Sequence, residues 1–229
     1  MKWFTTFITS KIGQKFTMAG TGLFLVLFLI VHLAGNLQLL KDDGGEAFNV
    51  YANFMVHNIF IEIISIGLYI FILLHAIQGI IFAINNKKAR GKNYKKSYSG
   101  KKIFPASNMA LLGSLIFFFI IFHMKDFWWK YKYGGQVDMI PHGDGTIGNL
   151  YATVQSSFSH GWIVALYILS MGVLYFHLSH GFASAFRTFG VHNKKYTPVV
   201  YFLGTLYSVL VCIGFAIIPI YFYFFLTNH

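Results

Sequence analysis

The sequence predicts an all-α integral membrane protein, a bundle of five transmembrane helices, and three observations carry that reading. Hydrophobic residues make up 56% of the 229 positions and charged ones only 11%, with a mean hydropathy of +0.58. So little polar surface cannot clothe a soluble domain of this length. A bilayer core about 30 Å thick takes about 20 mostly apolar residues per helical span, and five stretches meet that criterion. The alternation expected of barrel strands is absent, which leaves helices as the way this backbone satisfies its hydrogen bonds in lipid.

The first span covers roughly 16–40, within "KFTMAGTGLFLVLFLIVHLAGNLQLL". What precedes it has no continuous apolar run ending in a small-residue cleavage site, so the span is expected to stay in the mature chain. The second, third and fourth spans fall at roughly 58–84, 105–127 and 158–186, and the fifth at roughly 197–226. No solenoid repeat, low-complexity tract or separate soluble domain interrupts them, so 1–229 reads as a single membrane domain. The longest loop, "KDFWWKYKYGGQVDMIPHGDGTIGNLY", is aromatic and glycine-rich, and its "PHGDG" reads as an exposed turn.

Orientation follows from where Lys and Arg fall. Lys2, Lys11 and Lys15, eight basic residues between Asn85 and Lys102, and Arg187, Lys194 and Lys195 together hold fourteen of the eighteen. All lie on one side. The other side has Lys41, Lys125, Lys130 and Lys132 with Asp42, Asp43, Glu46, Asp126, Asp138 and Asp144. The N-terminus is therefore expected in the cytoplasm of a bacterial cell and the C-terminus outside its inner membrane. The net charge of +11 is topology signal on a lipid-embedded chain, and no nucleic-acid-binding motif gives it another use. A single cysteine, Cys212, excludes an internal disulfide, a CxxC zinc site and covalent haem attachment.

Four histidines sit inside four different spans: His32, His75, His123 and His180, with His177 beside the last. One such residue alone is as readily an interhelical hydrogen bond as a functional group. Depth separates the two readings for the set. At 1.5 Å of rise per residue, His32 and His123 both lie roughly 24 to 27 Å from the cytoplasmic ends of their helices, and His75 and His180 roughly 10 to 15 Å. Two depth-matched imidazole pairs from facing helices suit the two axial positions of a haem iron, with no cysteine or carboxylate in the layer to favour another metal. Two such haems, roughly 12 Å apart in depth, make an electron path across the bilayer. Gly35, Gly79 and Gly181, near the candidates, would admit a flat macrocycle or simply close helix packing.

Four strings then resemble a known family: "HLAGNL" from His32, "FHMKDFWWKYKYG" from Phe122, "HLSHGFASAFRTFG" from His177 and "KYTPVVYFLGTLYSVLVCIGFAIIPIYFYF" from Lys195. They look like the di-haem cytochrome b subunit of succinate dehydrogenase and quinol:fumarate reductase, in the five-helix, menaquinone-linked cytochrome b558 branch of respiratory complex II. The resemblance covers nearly the whole chain. It implies two haem b groups enclosed by the bundle, held by His32 with His123 (distal) and His75 with His180 (proximal), and menaquinone as substrate. It also implies flavoprotein and iron–sulfur subunits as partners on the cytoplasmic side, where the dicarboxylate chemistry would reside. No nucleotide-binding glycine fingerprint or iron–sulfur cysteine cluster occurs here to perform it. The cytochrome b anchor of another quinone-linked dehydrogenase and a histidine-relay proton-coupled transporter remain as alternatives.

The family's ligand is the histidine followed by glycine, which assigns His180. His177 lies one turn earlier, about 60° around the helix, supporting a propionate or a neighbouring helix; plain packing and a swap with His180 both stay open. Arg187 departs from the family's glutamine, and a cation there suits both the positive-inside rule and a propionate. Glu62 is the one carboxylate inside a span. It sits about 20 Å outward of His75 along the second helix, where it either exchanges protons with a quinone or merely favours the helix start. His57, Asn36 and Gln38 share that region, with Asn36 a candidate quinone contact.

Overall fold

The computed structural model describes residues 2–90 and 104–226. Most of the basic loop, Lys92 to Lys102, lies outside them. Five helices are long and apolar enough to cross a membrane, at Lys11–Leu40, Ile59–Ala89, Asn108–Lys132, Gly161–Thr188 and Thr197–Leu226. Each overlaps an expected span. The ends differ by a few residues because polar flanking turns continue helical, as Lys11 to Lys15 do before the first apolar run.

A short helix α1 (Lys2–Thr9) precedes α2 (Lys11–Asn36), and Ser10 makes the break. Its hydroxyl accepts from the Gly13 N–H at 3.0 Å and donates to the Phe7 carbonyl at 2.6 Å, capping α2 while tying down α1. A 3-10 turn over Leu37–Leu40 ends the first span. Helix α3 (Glu46–His57) follows, its first turn satisfied by Asp43, whose carboxylate accepts from the Gly45 and Ala47 N–H groups. Asn58 caps α4 (Ile59–Arg90) by accepting from Phe60 and Ile61.

Helix α5 (Phe104–His123) departs from helical geometry at Asn108, with φ −118°. Immediately after His123 the chain widens into a π-helical turn, Met124–Trp129, before a last α turn, α6 (Lys130–Lys132). Such turns add a residue to the helix and re-aim the side chains beyond it. The loop read as irregular then folds. Strands β1 (Met139–His142) and β2 (Gly145–Gly148) pair antiparallel, Ile140 opposite Ile147, and are joined through Gly143 at φ +57°. The expected "PHGDG" turn is the tip of this hairpin. It is the one departure from an all-helical chain among the described residues. Helix α7 (Leu150–Phe158) leads to α8 (Gly161–Thr188) and α9 (Thr197–Tyr221).

Packing is uneven. One buried cluster joins Leu39, Phe48, Val154, Phe158, Val164, Tyr167, Ile218 and Phe222, fastening α3, α7 and the ends of α8 and α9 into a cap over one end of the bundle. Asn49, 1% exposed, is its polar hub. The Asn49 amide donates to Asn149 Oδ1 at 3.0 Å and accepts from the Tyr151 N–H at 2.9 Å, so a buried side chain is satisfied by the loop it pins. A second cluster, Met171, Leu178, Val211 and Cys212, welds α8 to α9. The Tyr207 hydroxyl locks α9 to α2 by donating to the Val26 carbonyl at 2.6 Å. Along α4, by contrast, Ile59, Phe60, Ile63, Ile66 and Ile70 are exposed and lie off the cavity, the pattern of a lipid-facing helix.

Candidate functional site

A cavity of about 2320 Å³ runs between α2, α4, α5 and α8. His32, His75, His123, His177 and His180 all line it. Near the capped end the rings of His32 and His123 lie 5.6 Å apart at 85°. Phe28 stacks on His32 at 5.2 Å and Phe119 on His123 at 5.8 Å, so aromatic faces fix both imidazoles. His123 Nδ1 is 3.3 Å from the Tyr167 hydroxyl, and Asn36 Nδ2 donates to the His32 carbonyl at 2.7 Å and lies 3.3 Å from His32 Nδ1. Tyr51 reaches the same wall from α3 and abuts Gly35, where a Cβ would overlap its ring. Burial pushes the Tyr51 phenol above its ordinary value, so it stays a neutral hydroxyl.

Farther along the cavity the nearest imidazole to His75 is His177, with ring centroids 6.2 Å apart at 70°. The depth argument paired His75 with His180, whereas the α8 ring that packs beside His75 is that of His177, because three residues along a helix turn the side chain by about 60°. His180 is half-exposed and lines the cavity one turn on. His177 Nδ1 is buried with no hydrogen-bond partner among the described residues. The Thr21 hydroxyl donates to the Thr17 carbonyl at 2.8 Å and stands 3.2 Å from His75 Nδ1. An oxygen there suits a proton on Nδ1, the tautomer that keeps Nε2 for a metal.

These imidazoles fit haem b. Metal–imidazole bonds are about 2.0 Å long, so two rings facing each other across one ion have centroids about 6 Å apart; the observed pairs stand at 5.6 and 6.2 Å. Their crossed planes raise no conflict, since two imidazoles on one ion can have any mutual angle about the axis that joins their nitrogens. Among the described residues no three His, Cys, Asp or Glu side chains converge, so the donors come as pairs and not as a zinc-type cluster. Gly181, with nothing within 4 Å of the position a Cβ would take, faces open cavity. Gly79 faces Met18, and Gly35 and Tyr51 make ordinary close packing. A glycine not singled out in the sequence, Gly22, stands against His75, where a Cβ would come 3.2 Å from the ring.

The two mouths are charged differently. Lys15, Lys87 and Arg187 line the cavity at the end away from the cap, and all three are exposed. Arg187 was expected there; Lys15 and Lys87 emerge only once the helices are packed. At the capped end Glu62 pairs with Lys132, Nζ to Oε1 at 2.8 Å. Beside them Tyr69 and Trp128 meet edge to face at 5.4 Å. His57 is exposed and bonded to its own helix at the Asn53 carbonyl, and neither it nor Gln38 lines the cavity. Comparisons with protein-family models, with curated proteins and with solved structures return no match.

Proposed function

We propose that this chain is the membrane-anchor cytochrome b subunit of a succinate:menaquinone oxidoreductase or menaquinol:fumarate reductase, carrying electrons between menaquinone and a cytoplasmic iron–sulfur subunit. The observation that carries the reading is the pair of imidazole pairs, one above the other in a single cavity. The resemblance of the four sequence strings supports it. Haem b, held by each imidazole pair, would supply a one-electron couple suited to electron transfer.

The chain's own residues do the rest. His32 and His123 hold one centre. His75 and His177 hold the other, a reading the ring geometry favours over the His180 ligand that the resemblance implies. Thr21 holds His75 at Nδ1. Lys15, Lys87 and Arg187 offer cations to propionates at the basic mouth. The segments that flank this end in the sequence carry fourteen of the eighteen Lys and Arg, so it faces the cytoplasm of a bacterial inner membrane, and the flavoprotein and iron–sulfur subunits dock there. Glu62, at the capped outer mouth, exchanges protons with menaquinone.

Dithionite-reduced minus oxidised spectra of the purified complex test this, with haem extracted and counted. Two haem b per chain, reducible by succinate, are expected; a preparation with no haem band overturns the reading. His177→Ala is expected to abolish the inner centre while His180→Ala retains it. The reverse outcome restores His180 as ligand and leaves the overall function standing.

A further inference from the structure

We propose that Lys132 is a positioning residue for proton exchange with the quinone: it holds the Glu62 carboxylate at the outer mouth of the cavity in the orientation that presents its second oxygen. This rests on the menaquinone-linked reading above.

Glu62 lies in the first turn of α4, with its side chain 44% exposed. Nothing in that turn fixes the carboxylate, because the cap at Asn58 engages only the backbone N–H groups of Phe60 and Ile61. Lys132, 70 residues away on the other side of the mouth, donates to Glu62 Oε1 at 2.8 Å. Oε2 has no bond among the described residues, so one oxygen is anchored and the other is left for a substrate. Lys132 itself is placed by the π-helical turn that separates it from His123. Trp128, within that turn, packs on Tyr69 of α4. Glu62, Tyr69, Trp128 and Lys132 all line the cavity. Together they place an edge-to-face aromatic pair beside a carboxylate, so that a naphthoquinone ring can lie on one ring face with its oxygen near Glu62.

The balance is simple. Oxidation of a quinol breaks two O–H bonds and releases two electrons toward the imidazole-held centres and two protons; Oε2 takes a proton from the quinol oxygen and releases it to water at the exposed mouth before the next. Reduction runs the same steps backward. An exposed ion pair adds little to stability, so losing Lys132 should cost turnover and not folding. A carboxylate freed to swing away loses its near-attack geometry, and misplacement of that kind costs on the order of 10- to 100-fold.

The test uses the assembled complex with a short-chain naphthoquinone, and both haem spectra as the assembly control. Lys132→Met is expected to lower kcat by about 10- to 100-fold with KM little changed, Lys132→Arg to restore it, and Lys132→Met to have no further effect in a Glu62→Gln background. Wild-type kcat in Lys132→Met, beside a deficient Glu62→Gln, overturns the positioning role alone. An equal loss in the Glu62→Gln background does so too, because Lys132 would then act apart from the carboxylate. Wild-type turnover in both single variants overturns the outer proton site itself.

Discussion

At the capped end Asn49 is 1% exposed and its amide contacts cross from α3 to the start of α7; at the other end Lys15, Lys87 and Arg187 stand exposed around the mouth of the same cavity. One end is finished by its own chain, with a hydrophobic cluster, a satisfied polar hub and a hairpin laid over it. The other presents exposed charge, with neither an ion pair to these three side chains nor a comparable cap among the described residues. The cap covers the imidazole pair beneath it and leaves the mouth beside Glu62 open, and burial of that pair strengthens its polar interactions. Under the proposed function, the second end is where the partner subunits dock. The asymmetry therefore matches a subunit that meets a small lipid-soluble substrate at one end and a large charged protein at the other.

The sharpest way to break this comparison is to remove one centre. His123→Ala is expected to abolish the haem signal of the capped end and leave the other intact, because their ligands come from different helix pairs; the reduced-minus-oxidised spectrum of a stably inserted variant decides it. Loss of both signals would mean the two ends are not independent. Next in size, Phe222→Ala at the centre of the cap, where Phe222 is 0% exposed, should cost about 3–5 kcal/mol. Hydrogen exchange should rise in α3 and α7 while α2 and α8 near Arg187 stay protected. Exchange rising equally at both ends would show that the cap is not a separate packing unit. Smallest is Ser10→Ala, which removes the cap of α2 and should cost about 1 kcal/mol, loosening α1 and leaving both haem spectra unchanged.

The five spans were legible because burial in lipid imposes one simple rule, about 20 apolar residues in a row. The closeness of His32 to His123 was legible for a related reason, since rise per residue fixes depth. Azimuth is another matter. His177 and His180 differ by about 60° around α8, and depth arithmetic cannot say which of them faces α4; packing does. The cap was illegible because its pieces are short. Helices of 12 and 9 residues are marginal on their own and form through contacts distant in sequence, such as Asn49 with Asn149. Glu62 with Lys132 was missed likewise. A span of 70 residues carries no local signal, and a lysine at the end of a span reads as nothing more than an interfacial charge.

The π-helical turn after His123 also divides one helix into two segments with separate angular phases. On its near side the phase is set by the need to aim an imidazole inward; on its far side, by the need to bring an ammonium group to Glu62. Closing the turn to ordinary helix with all six of its residues kept would leave His123 where it is and swing everything beyond by about 100°. Removing one residue along with the π turn would nearly cancel that swing, so it is the extra residue that lets the imidazole half and the Lys132 half keep separate phases. In a transmembrane helix, where a frame of one residue is normally ruinous, this chain keeps its spare residue at the one place where the two phases meet.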